Sequence, residues 1–226
     1  MKSPDIQPTY PSRDGGGSYS MQPLVLPVEN RFLPFFDASK PPPAFLTPTE
    51  IERRNQLAKV EAEMGPIARL TVPVHFLHGI KGPGHFKYRS LKHVDGAYRE
   101  YKDSSQMLKT SPIEAVFFPY ADGGCAAIIQ GHHRARRAPK NGVTVAPTLV
   151  LTLAQGARLL NLSNEYPTTG PYTEETLMKD LVAWTTIARQ EFLQAGMPDV
   201  KEPHIISGAR SVKDLPRLYP ELIKPF

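Results

Sequence analysis

Four consecutive residues near the middle of the chain, Gly131-His132-His133-Arg134, combine types that suit anion binding. A glycine lets the backbone approach a ligand closely. The rings of His132 and His133 can donate hydrogen bonds or protons, and the planar Arg134 guanidinium can meet a phosphate group with two hydrogen bonds. We therefore predict that all four residues form an anion-binding site, with His133 as the candidate catalytic residue.

This motif has two other interpretations. The four residues also fit a surface turn whose histidines bind nothing. A zinc site is not predicted, because the side chains of neighbours such as His132 and His133 diverge and no third ligand is suitably spaced. No metal-ligating residue is therefore predicted, and Mg²⁺ is expected only in company with a bound nucleotide.

The residues around the motif predict the elements that must position it. Ile113–Tyr120 is rich in β-branched and aromatic residues and predicts a strand. Asp122-Gly123-Gly124 predicts a hairpin-type turn, and Cys125–Gln130 the returning strand. After Gly131, a short helix is expected from about His133 to Lys140, whose N-terminus would present backbone N–H groups to an anion.

Further elements are predicted on both sides of this unit. Val143–Leu153 predicts a strand that Pro147 interrupts. Upstream, Thr47-Pro48-Thr49-Glu50 predicts the start of a helix that runs to about Met64, and Leu70–Leu77 predicts a strand.

The remaining segments predict a loop and two helices. Gly79–His85 matches no strand-loop-helix nucleotide fingerprint and predicts a plain loop. Residues 94–109 predict a helix, and a clearly amphipathic helix begins at Thr173 and ends at Gly196. Its inward face is predicted to consist of Leu177, Leu181, Trp184, Ala188 and Phe192.

Charge and composition limit the classes of function. The net charge of +5 and the pI of about 9.3 suit an anionic ligand, but are weak for a dedicated nucleic-acid binder. Cys125 is the only cysteine, so no internal disulfide or cysteine-based zinc site can form. We expect a cytoplasmic protein without a membrane partner, since no signal peptide is evident and the apolar stretch Val145–Ala154 is about half a membrane span.

The distribution of the 24 prolines divides the chain into three parts. Residues 1–43 are expected to be an irregular arm, 44–196 the domain, and 197–226 a proline-rich tail. The arm carries an aromatic patch, Phe32–Phe36, which is a candidate docking segment for a protein partner. The predicted fold class is α+β, with a small mixed sheet, flanking helices and irregular proline-rich arms.

From about Ser104 to Leu153, the chain resembles the ParB-like/sulfiredoxin superfamily. The matching pieces, in order, are Pro112-Ile113, Asp122-Gly123-Gly124, Gly131-His132-His133-Arg134 and Val145-Ala146-Pro147. If Leu70–Leu77 is the first strand of that fold, the resemblance covers roughly twice as many residues. It implies a small α+β domain that binds nucleotide phosphates at the Gly131 turn. Members include ParB CTPases, sulfiredoxin and an ADP-dependent free-serine kinase.

The chain departs from each of these relatives. Sulfiredoxin has its catalytic cysteine where this chain has His132, and Cys125 lies before Gly131, so sulfiredoxin chemistry is not expected. The kinase has an acid where this chain has Gln130, which puts metal binding or base catalysis there in doubt. ParB proteins have an acid within the motif and a helix-turn-helix domain downstream; neither is evident, since only one long helix is predicted before the tail. Pro139 should shorten the helix after the motif.

Three functions are consistent with these features. The first is a nucleotide-binding domain for ATP, ADP or CTP that acts as a phosphotransferase or nucleotide hydrolase, with Asp95, Glu100 or Asp103 as candidate carboxylates. The second is a ParB-like DNA-associated protein or nuclease. The third is a non-catalytic interaction protein that retains the fold. Whether the protein is an enzyme is left open by the sequence.

Overall fold

The structure is a computed structural model that describes residues 9–11, 18–20, 48–83, 112–139, 142–163, 170–196 and 204–226. Several predicted features lie outside the described residues: the aromatic patch Phe32–Phe36, the helix over 94–109, and the carboxylates Asp95, Glu100 and Asp103.

The described part of the chain contains nine strands and five α-helices. The strands are β1 (Thr9–Pro11), β2 (Ser18–Ser20), β3 (Ala68–Pro73), β4 (Leu77–Gly79), β5 (Ile113–Tyr120), β6 (Gly123–Gln130), β7 (Val145–Leu151), β8 (Ile206–Ser207) and β9 (Lys224–Pro225). The helices are α1 (Pro48–Met64), α2 (His132–Arg137), α3 (Leu153–Ser163), α4 (Glu174–Gln194) and α5 (Asp214–Leu218). A 3-10 helix, Val74–Phe76, separates β3 from β4.

Seven of the described strands form one mixed sheet. Its order is β4-β6-β5-β7-β3-β9, and β8 pairs with β6 as well. β5 runs antiparallel to β6 and parallel to β7, while β4 runs parallel to β6. The predicted α+β class, with a mixed sheet and flanking helices, is confirmed. β1 and β2 form a separate antiparallel pair where an irregular arm was predicted.

The hairpin of β5 and β6 turns at Ala121 and Asp122, and the predicted turn glycines belong to the strand instead. A Cβ on Gly124 would lie 1.9 Å from the Phe117 ring, and one on Gly123 would lie 2.2 Å from the Ile206 carbonyl oxygen. Both glycines are therefore required for close packing across β6, and Ala121 adopts the positive φ of 50° in their place.

The strand after the motif is shorter than predicted and is followed by a helix that the sequence analysis missed. β7 ends at Leu151, and its Pro147 stays in register with Thr71 of β3 rather than interrupting the strand. Thr152 and Gln155 cap α3 reciprocally, since each side chain accepts the backbone N–H of the other. This Thr-x-x-Gln capping box is the feature of the sequence from which the start of α3 could have been predicted. Among the residues that the structure describes, two helices, α3 and α4, therefore lie between the motif and the tail.

The strand predicted over Leu70–Leu77 is two strands with different partners. β3 pairs with β7, whereas β4 pairs with β6 on the far side of β5. The 3-10 helix between them is three residues long, and such a connection can span at most about 14 Å. The sheet therefore curls, so that its β3 side approaches its β4 side.

Two apolar clusters fill the opposite faces of this sheet. The outer-face cluster of β5 includes Val116 and Phe118, and α1, α3 and α4 cover it. The inner-face cluster includes Ile113 and Phe117 of β5. Ala135 of α2, Ala138 at the C-terminal end of α2 and side chains of residues 204–226 also belong to it. The motif helix thus packs on one face of the sheet, and the three longer helices pack on the other.

The amphipathic helix α4 begins as predicted, with Thr173 as its N-cap in a capping box with Thr176. Four of the five predicted inward residues are buried: Leu177, Leu181, Ala188 and Phe192. The exception is Trp184, which is half-buried, while the neighbouring Thr185 is buried in its place. Thr185 can occupy that position because its hydroxyl donates a hydrogen bond to the Leu181 carbonyl within the helix.

Residues 204–226 differ from the predicted irregular tail, because they are part of the sheet and its core. β8 pairs with β6, β9 pairs with β3, and α5 lies between them. The tail is joined to β4 by two histidines. The His204 backbone N–H donates to His78 Nε2 at 2.5 Å, and the His204 ring stacks on Phe76 with a 4.1 Å centroid separation.

Candidate anion-binding site at the Gly131 turn

The strand that leads into the motif contains a β-bulge. Glu114 is opposite Gln130, but the next residue, Ala115, is opposite Ile128, so Ile129 has no counterpart on β5. Bulges bend a strand and redirect its end, and they are frequent next to functional sites. The bulge therefore sets the direction in which the chain enters the Gly131 turn.

Gly131 occupies a position that accepts no other residue without strain. It is the N-cap of α2 and has a φ of 96°, which disfavours any side chain. A Cβ at this position would also lie 2.8 Å from Nη2 of Arg134. The Gln130 side chain supports the turn, since its Oε1 accepts the Gly131 N–H at 3.1 Å.

Arg134 lies in the first turn of the helix, as predicted, three residues after the N-cap. Its guanidinium group folds back over the Gly131 Cα, which the close approach of Nη2 and Nε to that position establishes. The side chain is half-buried. The Arg134 guanidinium thus stands beside the start of α2, where the helix itself supplies no acceptor for the backbone N–H groups of its first turn.

The two histidines of the motif have different surroundings. His132 is buried, and its Nε2 accepts the backbone N–H of Ile80 at 3.4 Å. An accepting Nε2 carries no proton, so His132 joins the turn to the residue after β4 as a neutral ring. His133 is half-buried, although its Nε2 atom is enclosed by protein.

The basic residue Arg136 of α2 packs on α4. Its guanidinium lies over the Phe192 ring of α4, 4.6 Å from the centroid, in a cation–π contact. The described start of the predicted Gly79–His85 loop approaches α4 so closely that a Cβ on Gly82 would overlap the Glu191 carboxylate. The start of this glycine-rich loop is therefore packed between the motif helix and α4.

A buried ion pair near the turn was not predicted. Arg53 of α1 donates from Nε and Nη2 to Oε2 of Glu114, at 2.9 and 2.6 Å. The signal was present in the pattern, because Arg53 shares the apolar face of α1 with Leu57 and Val60, and Glu114 interrupts an otherwise apolar strand. Charged residues in such positions are almost never fully buried unless they are paired.

The cysteine of the strand before the turn, Cys125, lies six residues before Gly131. The side chain is buried in β6, and burial raises the pKa of its thiol to about 12. The reactive thiolate form is then negligible near neutral pH. Among the described residues, no group of three His, Cys, Asp or Glu side chains is arranged to hold a metal ion.

None of the helices that the structure describes combines the length and apolarity needed to cross a membrane. Comparison of the chain with protein-family models, with curated proteins and with solved structures finds no match.

Proposed function

We propose that the protein binds the phosphate groups of a nucleotide at the Gly131 turn, in a ParB/sulfiredoxin-like domain. The observation that carries the proposal is the placement of the Arg134 guanidinium over Gly131, at the start of a helix that follows a bulged strand. A helix N-terminus favours an anion, and a guanidinium held there in advance adds a charge-assisted contact.

In this proposal, the backbone of the first turn of α2 and Arg134 hold the phosphates of ATP, ADP or CTP, with or without Mg²⁺. His133 contacts the phosphate or moves a proton, while His132 keeps the turn against Ile80. Phosphotransferase or nucleotide-hydrolase activity would depend mainly on positioning and charge neutralisation. It also calls for a carboxylate, and Glu114, which lies opposite Gln130, is engaged by Arg53.

That engagement favours a second candidate, a non-catalytic protein that binds the nucleotide without turnover. The two candidates are separated by measuring phosphate release during prolonged incubation with the nucleotide that binds. The DNA-associated alternative rests on the basic cluster of Arg134, Arg136, Arg137 and Lys140. Its support is weaker, because Arg134 and Arg136 face Gly131 and Phe192 and are half-buried.

The test is a thermal-shift panel of ATP, ADP, CTP and inorganic tripolyphosphate, each with and without Mg²⁺. A ligand at 100 times its dissociation constant should add about 2.7 kcal/mol of stability. Gly131→Ala should abolish this shift, because the new Cβ displaces Arg134 and strains the turn.

Gly65→Ala is the matched control, since Gly65 also has a positive φ, of 87°, but no neighbour within 4 Å of an added Cβ. It should lower the midpoint through backbone strain and retain the ligand-induced shift. The proposal is wrong if none of the polyphosphates raises the midpoint, or if both alanine variants respond to ligand equally.

A further inference from the structure

The Arg53–Glu114 ion pair is almost fully enclosed, with relative exposures of 8% for Arg53 and 5% for Glu114. Both donors of the guanidinium converge on one carboxylate oxygen, so the relative orientation of the two side chains is fixed. Each residue comes from a different element, α1 or β5, and the pair lies on the face of the sheet filled by apolar side chains such as Leu57 and Val116.

Stability alone is a poor account of this pair. Removing two charges from water has a desolvation cost that their attraction often only balances, and apolar pairs of similar volume are commonly as stable or more so. An apolar contact between α1 and β5 would suit this face equally well. What the ion pair adds is a defined position of α1 relative to β5. A hydrogen-bonded guanidinium and carboxylate fix the position of their backbones more narrowly than apolar packing does.

Through its place in β5, Glu114 connects the ion pair to the motif. Glu114 is opposite Gln130, at the point where the bulge interrupts the regular ladder of β5 and β6. The ladder alone therefore constrains the end of β6 less than a regular pair would. Gln130 in turn accepts the Gly131 N–H through its side chain. A chain of contacts thus leads from Arg53 through Glu114 and Gln130 to Gly131.

We infer that Arg53 and Glu114 are a positioning pair that fixes the Gly131 turn. α1 thereby sets the geometry of a turn that lies on a different part of the chain. The consequence for ligand binding rests on the proposed function, whereas the positioning of the turn can be measured without any ligand.

The experiment replaces both charges at once, in the variant Arg53→Met/Glu114→Met, and follows amide hydrogen exchange by NMR. The thermal midpoint should equal or exceed that of the unmodified protein. Exchange at Gly131 should nevertheless become at least about tenfold faster, because the turn opens locally, while exchange in the β3–β7 ladder stays unchanged. The matched control, Arg158→Met/Glu63→Met, removes another ion pair of α1 that joins it to α3 at the surface, and should leave Gly131 unaffected.

Unchanged Gly131 exchange in the folded Met pair would overturn the inference. If the Met pair does not fold, Arg53→Lys takes its place, since it keeps the charge but loses the two-donor fork; accelerated Gly131 exchange then supports the inference and unchanged exchange overturns it. Tripolyphosphate affinity separates the two proposals. If the unmodified protein binds no polyphosphate but Gly131 exchange still depends on the pair, the proposed function fails and the positioning role stands.

Discussion

Replacement of Arg134 by alanine is expected to weaken nucleotide binding by about 10- to 150-fold, equivalent to about 1.5–3 kcal/mol for a lost charge-assisted contact. The guanidinium is already held over Gly131, so little side-chain entropy is lost when a phosphate arrives. Arg134→Lys should recover part of the affinity, because an ammonium group keeps the charge but not the planar fork. Isothermal titration calorimetry with the nucleotide selected by the thermal-shift panel measures both variants.

Arg136→Ala is the control for this measurement. Arg136 is two residues further along the same short helix and lies on Phe192. Its loss should therefore lower the stability by about 0.5–1 kcal/mol through the missing cation–π contact, with a small effect on affinity. Small and equal losses of affinity in both alanine variants would mean that the basic cluster is only a solvated face, and the phosphate site would be rejected.

Acidification from pH 7.5 to pH 5 is expected to cost the folded protein about 2 kcal/mol through His78 alone. Burial lowers the pKa of His78 from 6.5 to about 4, and the neighbouring His204 contributes in the same direction. Because the folded pKa is below the unfolded one, the unfolded chain takes up the proton first. The contribution of His78 is therefore complete above about pH 6.5 and is lost as the pH falls towards 4.

Protonation of His78 at Nε2 would also remove the acceptor that the His204 N–H uses. Burial lowers the pKa of His204 too, with a smaller effect from His75, so His204 adds to the same loss. His78→Gln provides the comparison, since an amide oxygen can accept this hydrogen bond and does not titrate. Urea denaturation at both pH values should show a smaller loss for the variant. An equal loss in the two proteins would mean that carboxylates elsewhere cause the acid sensitivity.

Local sequence signals were sufficient to predict the unit that contains the motif. The hairpin strands, the turn at Gly131, the short helix and the following strand are contiguous, and each is specified by side-chain type or by a glycine. The end of α2 at Arg137 also agrees with the expected effect of Pro139. The same holds for α4, whose threonine cap and apolar spacing are local features. The prediction for Trp184 was wrong because the spacing of apolar residues defines an apolar stripe along the helix, but does not decide which residue at the edge of that stripe is buried.

Contacts between distant segments could not be predicted in this way. Arg53 and Glu114 are 61 residues apart, and His78 and His204 are 126 residues apart. In each pair, the type and position of one residue do not identify the residue that it contacts. The division of Leu70–Leu77 into two strands has the same origin, because the change of partner at Val74–Phe76 depends on where β6 and β7 lie. The roles of Gly131, His132, His133 and Arg134 in ligand binding stay predictions.

The place of β3 in the sheet has a consequence for how the protein folds. β3 lies between β7 and β9, and so pairs with two segments that are far along the chain on its C-terminal side. Pairings of this kind raise the contact order and slow folding, since a long loop must close before any hydrogen bond forms. Until β9 docks, β3 is an open edge with unpaired backbone groups, and such edges promote association between chains. Refolding yield should therefore depend strongly on protein concentration.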